Sequence, residues 1–285
     1  MSMQVSQTVC AQKKNLGNGF TVRSLSEEHF RGLIDPVLML DHYRMSESPF
    51  EPHPHAGFSA VSYLFEDSAG GLMNYDSLGT EVPIFPGDLH WTMAGSGIVH
   101  HEPPLVPGLE VHGLQFFVNL GSTNKFIPPQ PFHRRAVDMP LIEATGVRVR
   151  VVVGESGGVR APLALPESFT MLDIRLKAGA SFEHALPPGW NALVYVVDGE
   201  LTLPDADADG ATLTAHRAIG LHAGEEGSAV ALRAVTDVHA VVMSGRPLRE
   251  PIAKHGPFVM NTREQISQVI RDYTDGRMGV LAAVR

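Results

Sequence analysis

What most constrains this chain is its punctuation. Glycine and proline, 28 and 21 of the 285 residues, are spread along the whole length and cut the apolar residues into short runs. Between residues 58 and 120 the runs FSAVSYLFE, GLMNYDS, EVPIFPGD, LHWTM, IVHHE and HGLQFFVNL are separated by turn signals such as DSAGG and AGSG. Runs this short, rich in β-branched and aromatic residues, read as strands. Their imperfect alternation fits strands buried on both faces or packed in a sandwich. A second set begins near residue 168: SFTMLDIRLKAGASFEHALP, NALVYVVDGELTLP, ATLTAHRAIGLHAG, SAVALRA and VHAVVMSG. The two sets share a rhythm without close identity, so the expectation is an all-β chain holding two copies of one architecture. Within the second set, VVDGELTL predicts a hairpin turning at Asp198-Gly199. Between the sets, NKFIPPQPFHRRAVDMPLIEATG is rich in proline and predicts no strand. The expected domains are therefore 1–135 and 136–285. The chain's last segment differs: NTREQISQVIRDY spaces Ile266, Val269, Ile270 and Tyr273 for one face of a helix, and Thr262 with Gln265 fits a capping box. That helix is expected to pack on the second domain.

Composition narrows the function. A chain that is 44% hydrophobic and 19% charged is globular and buries a large core without staples. A formal net charge of −9 offers no broad basic face, which disfavours direct contact with nucleic acid. The single cysteine, Cys10, excludes an intrachain disulfide and a cysteine zinc site. The opening MSMQVSQTVCAQKKNLG lacks the apolar core of a signal peptide, and no apolar stretch is long enough to span a bilayer. The expectation is a soluble, cytoplasmic protein with no membrane partner.

The chemistry gathers in two histidine-rich stretches. EPHPHAGF, at 51–58, holds two prolines and a glycine and should be extended. Residues two apart in an extended chain face one way, so His53 and His55 aim together. Such a pair grips a metal or lines a polar rim. In AGSGIVHHE, at 94–102, the same alternation puts His100 and Glu102 on one face and His101 on the other. If the strands are neighbours, His53, His55, His100 and Glu102 present three nitrogens and a carboxylate. Iron, nickel, manganese, copper and zinc all accept such a set, and four ligands on a six-coordinate ion leave two positions open. His112 is a candidate hydrogen-bond partner behind the ligands, whereas His42, His90 and His133 read as structural. The scattered His184, His216, His222 and His239 predict no metal in the second half. Phe58, Trp91 and Phe116 are candidates either for the wall of an apolar pocket or for ordinary core. No P-loop, G-x-G-x-x-G, G-x-S-x-G or H-E-x-x-H is present, so neither nucleotide chemistry nor a serine triad is indicated.

These residues carry a resemblance. DPVLMLDHY (35–43), PHPHAGFSAVSYLFE (52–66), DSLGT (76–80), PGDLHWTMAGSGIVHHE (86–102), HGLQFFVNL (112–120) and REPIAKHGPFVMNT (249–262) look like the pirin family of two-domain cupins. The resemblance implies a bicupin: two β-sandwich or barrel (jelly-roll) domains and a short C-terminal helix. It implies one metal, usually iron, in the first domain, and by motif it falls on His53, His55, His100 and Glu102. It further implies a quercetin 2,3-dioxygenase-like enzyme that opens flavonols with O2 and releases carbon monoxide, with Glu102 as general base. The alternative it implies is a non-catalytic redox sensor, in which the iron state governs affinity for a protein partner.

Overall fold

In the computed structural model, which describes residues 3–17, 19–48, 50–206 and 210–281, the short runs become strands and the chain closes with one α-helix, Arg263–Thr274. Two compact units emerge. The first in order of function comprises residues 13–24, 39–138 and 249–285. Its larger sheet has seven strands, in spatial order Gln130–Arg134, Leu89–Met93, Phe58–Leu64, Val111–Asn119, Val37–Met45, Phe20–Ser26 and Gln12–Gly17. Phe58–Leu64 is buried at every position because it is hydrogen-bonded on both edges and covered on both faces. Its second sheet has four strands: His53–His55, Ile98–His101, Leu72–Asp76 and Glu81–Ile84. His53–His55 lies at the edge of that sheet, the position where Pro54 removes no needed ladder bond.

The other unit comprises residues 1–12, 25–38 and 139–248 and repeats the plan. One sheet runs Gln4–Val5, Arg217–His222, Asn191–Asp198, Val238–Gly245, Phe169–Leu176, Val147–Val153 and Leu141–Ala144, and Val9–Cys10 also pairs with Arg217–His222. The second runs Ser181–Leu186, Ser228–Ala234, Glu200–Leu203 and Ala211–Thr214. Val149, Ile174, Val194, Leu221 and Val242 are central to its core. Each unit is thus an antiparallel two-sheet sandwich, as the strand pattern led us to expect of two copies of one all-β architecture and as the resemblance to two-domain cupins implies.

Four expectations change. The units are not the contiguous halves 1–135 and 136–285, because the chain crosses between them several times. Helix Arg263–Thr274 groups with the unit that holds His53, where Ile266 and Val269 pack with Ala56, Val99, Phe258 and Met260. Its capping box is present as read: Thr262 accepts from the Gln265 backbone N–H, and Gln265 Oε1 accepts from that of Thr262. Asp198-Gly199 is not a hairpin. Asn191–Asp198 and Glu200–Leu203 lie in different sheets, and Gly199 is the corner between them. Its φ is +85°, and a Cβ there would stand 2.1 Å from the Asp237 carbonyl oxygen, so the position needs glycine for close approach. Finally, the proline-rich stretch does contain strands, Gln130–Arg134 and Leu141–Ala144. Both are edge strands, where Pro131 is tolerated.

Candidate metal centre

The edge strand His53–His55 pairs antiparallel with Ile98–His101, in a register that sets His53 opposite His100 and His55 opposite Ile98. Period-two alternation then brings His53, His55 and His100 to one face. One ligand nitrogen from each lies within 4.8 Å of the others. His101 points elsewhere and is outside the trio. Glu102, one residue past the strand, lines the same cavity. Its Oε2 accepts a 2.5 Å hydrogen bond from Ser62 Oγ, which also lies 3.2 Å from Gln115 Oε1. A serine hydroxyl has one proton, so the Gln115 amide is better turned to donate its N–H to Ser62 while Ser62 donates to Glu102.

The ring orientations suit a cation. His53 Nδ1 is 2.9 Å from the Glu51 carbonyl oxygen, which can only accept. Nδ1 therefore carries the proton, and the Nε2 lone pair of the neutral ring is free. His55 and His100 bring their Nε2 atoms to 2.9 Å. Two nitrogens at about 2.1 Å from one ion, at right angles, would stand about 3 Å apart. The His100 Nδ1 is buried without a hydrogen-bond partner among the described residues, and the His55 ring has the Pro257 carbonyl on its other side, so the protons can sit on Nδ1 and leave both Nε2 lone pairs for an ion. Burial pushes the His55 pKa down to about 3, aided by the neighbouring His53 and opposed by the Pro257 carbonyl. Burial likewise holds His100 well below its ordinary range, with His55 and His53 adding to the effect. Both rings are neutral near pH 7, the state a metal requires. The donor set fits a divalent transition metal.

Two features hold this segment in place. Gly57 has φ of +85°, and a Cβ there would meet the Val259 carbonyl oxygen at 1.9 Å. That close approach lets the Val259 N–H bond to the Ala56 carbonyl at 3.0 Å. Lys125, fully buried, then donates to the Gly57 carbonyl (2.8 Å), Asn119 Oδ1 (2.7 Å) and the Val259 carbonyl (3.1 Å). Sequence reasoning missed Lys125, for the lone lysine of NKFIPP carries no spacing signal.

Beside the trio lies a cavity of about 200 Å³. Met39, Tyr43, Met45, Leu72 and Phe117 supply apolar wall, and Asp41, Glu102 and Gln115 its polar points. Tyr43 Oη and Asp41 Oδ1 are buried without partners among the described residues. Desolvation raises the Asp41 carboxyl, opposed by Ser24 and Lys14. Desolvation also pushes Glu102 up to about 7, opposed by the Ser62 hydrogen bond. Of the proposed wall residues, Phe58 is buried against the His55 ring (5.2 Å between centroids) and Phe117 (4.4 Å). Trp91 and Phe116 do not line the cavity; they stack edge-to-face with each other at 6.0 Å. Strand Val111–Asn119 presents Gln115 and Phe117 inward, and its alternation turns Phe116 away. His112 is not behind the trio either. Its Nε2 lies 2.8 Å from His42 Nε2, and its Nδ1 lies 3.1 Å from Asp67.

The profile described as Pirin matches residues 14–118, and the Pirin C-terminal cupin domain matches residues 171–279. A pirin-like protein of Solanum lycopersicum is 36% identical over 277 residues, covering 96% of this chain and 92% of the relative. The chain belongs to the pirin family. Among solved structures this pirin-family chain is similar to a quercetin 2,3-dioxygenase from Acinetobacter baumannii, with a TM-score of 0.86 and 28% identity over 98% of this chain and 99% of the other. It shares its fold with a bacterial pirin from Escherichia coli, YhhW, in complex with nickel(II), at a TM-score of 0.64 and 15% identity over 86% of this chain and 99% of that one. No helix among the described residues of the chain is long and apolar enough to cross a membrane.

Proposed function

We propose that this pirin-family chain is an oxygenase holding one divalent metal, iron(II) in our reading, through His53, His55, His100 and Glu102, and acting on flavonols such as quercetin. The observation that carries the reading is the convergence of three imidazoles, two of them buried and held neutral, with a carboxyl beside an apolar cavity. The Acinetobacter protein named for quercetin 2,3-dioxygenase supports the substrate class. When bound, the metal supplies Lewis acidity toward an oxygen ligand and one-electron chemistry with O2.

The chain's own residues supply the rest. His53 keeps its Nε2 lone pair aimed at the ion because Nδ1 is tied to the Glu51 carbonyl. Glu102, whose carboxyl also lines the cavity, is the group placed to accept the proton of a substrate hydroxyl as general base. Ser62 fixes the Glu102 carboxylate by donating to Oε2. Tyr43 Oη, unpartnered in the wall, donates to a substrate oxygen. Phe117, Met39 and Leu72 exclude water from the reacting edge. At about 200 Å³ the cavity is below the roughly 300–1,000 Å³ that encloses a drug-sized ligand, so a flavonol seats its hydroxy-carbonyl edge inside and leaves the remainder at the mouth.

The small cavity and the half-exposed Phe50 on its rim (49%) favour the second reading, a metal-dependent binding module for a protein partner. One assay separates the two. Protein loaded anaerobically with iron(II) is given quercetin, then O2, and loss of flavonol absorbance is followed with His53→Ala as control. Turnover abolished in the variant supports the oxygenase. No turnover by protein with its iron in place refutes it and leaves the binding module.

A further inference from the structure

The unit without the histidine trio repeats the strand plan around that trio. Ser181–Leu186 stands at the edge of its four-stranded sheet beside Ser228–Ala234, as His53–His55 stands beside Ile98–His101. The registers superimpose: His184 faces Val230 as His53 faces His100, and Leu186 faces Ser228 as His55 faces Ile98. Carried two residues on, Leu232 takes the place of Glu102. One donor of four is left, and apolar side chains stand where the others would be. His184 has a different use. Its Nδ1 lies 3.0 Å from Ser156 Oγ and its Nε2 lies 3.1 Å from Ser244 Oγ.

This imidazole opens on a cavity of about 690 Å³, inside the range of small-molecule sites. Ser156, Thr170 and His184 are its buried polar groups; Leu163, Phe169 and Trp190 give it apolar and aromatic wall. We propose that this cavity is a second, metal-free binding site for an uncharged ring compound bearing hydroxyl or carbonyl groups. The buried groups are uncharged: burial holds the His184 pKa at about 4. The charged residues of the lining, Glu155, Arg160 and Glu167, are none of them buried, and Arg160 pairs with Glu155, so a charged ligand finds no buried counter-charge. The hydroxyl–imidazole–hydroxyl chain also accommodates either kind of oxygen. With the proton on Nε2, Ser156 donates to Nδ1 and offers its lone pairs to a ligand hydroxyl. With the proton on Nδ1, Ser244 donates to Nε2, and Ser156 accepts from Nδ1 and turns its own O–H toward a ligand carbonyl. Trp190 supplies a flat aromatic surface for the ring.

The chain has two tryptophans, so Trp91→Phe leaves Trp190 as the sole reporter. Metal-stripped Trp91→Phe protein would be titrated with quercetin as probe, following Trp190 emission. Saturable quenching is expected, and it should persist when His53→Ala is added. Ser156→Ala should weaken it about three- to tenfold, the worth of one hydrogen bond. Ala185→Phe, at an exposed position on the rim, should weaken it more than tenfold by filling the space, with the thermal transition of each variant checked against the parent. Absence of saturable quenching, quenching lost with His53→Ala, or quenching untouched by both Ser156→Ala and Ala185→Phe would overturn the proposal. None of these results bears on metal binding at His53, His55 and His100.

Discussion

Replacing Lys125 by methionine keeps the stem's volume and removes its three donors. Lys125 is 0% exposed, and its amino group serves the Gly57 carbonyl, Asn119 Oδ1 and the Val259 carbonyl at 2.8, 2.7 and 3.1 Å. A buried acceptor stripped of its donor costs about 1–3 kcal/mol. Three such losses are partly offset, because methionine has no charge to desolvate. We expect Lys125→Met to destabilise its unit by about 2–4 kcal/mol, lowering its thermal transition by about 5–10 °C. The same change loosens the contact that places Ala56 and Gly57 directly after His55, so affinity for a divalent metal should fall as well. Circular dichroism melts of the metal-free protein read the first effect, and Lys13→Met, at an exposed position, is the control with no shift expected. A Lys125→Met transition within 1 °C of the parent would refute the three-acceptor argument.

Two further perturbations turn on protons. The buried His184, with its pKa at about 4, stays neutral in the folded state while the unfolded chain takes up a proton near pH 6.5. Its contribution is therefore lost as pH falls from about 6.5 toward 4, amounting to about 2 kcal/mol at pH 4.5; His184→Gln should remove that part of the acid dependence, and urea midpoints that fall with pH equally in both proteins would contradict it. Glu102, pushed up to about 7, holds its proton below neutrality, and a metal must expel it. Apparent metal affinity should drop about tenfold from pH 8 to pH 6, and competition titrations of Glu102→Gln should show a slope shallower by about half a proton averaged over that range; parallel slopes would remove Glu102 from the ligand set.

How much of this was legible depended on the range of the interaction. His53, His55 and His100 share a face because period two is a local property of extended chain, and the sequence already displays it. The fold class followed from the same local signals, since glycine and proline bound each strand. The Phe116 and Phe117 exchange shows the limit: burial on both faces removes the polar alternation that would say which side points into the cavity. Asp198-Gly199 has the composition of a hairpin, but its partner strands are chosen by distant pairing with Arg217–His222 and Ala211–Thr214. The terminal helix announced itself through its apolar stripe and cap, yet nothing within thirteen residues names Ala56 and Val99 as what it covers. Lys125 was invisible because two of its three acceptors are main-chain carbonyls, which every residue possesses.

The central claim is that His53, His55, His100 and Glu102 form one metal site. Metal analysis of protein loaded anaerobically with iron(II) and then desalted tests it most directly, comparing the parent with His53→Ala and His101→Ala. The account predicts about one iron per chain in the parent and in His101→Ala, and loss of most of it in His53→Ala, because strand alternation turns His101 away from the trio. Equal loss in both variants, or full iron retention in His53→Ala, would contradict it.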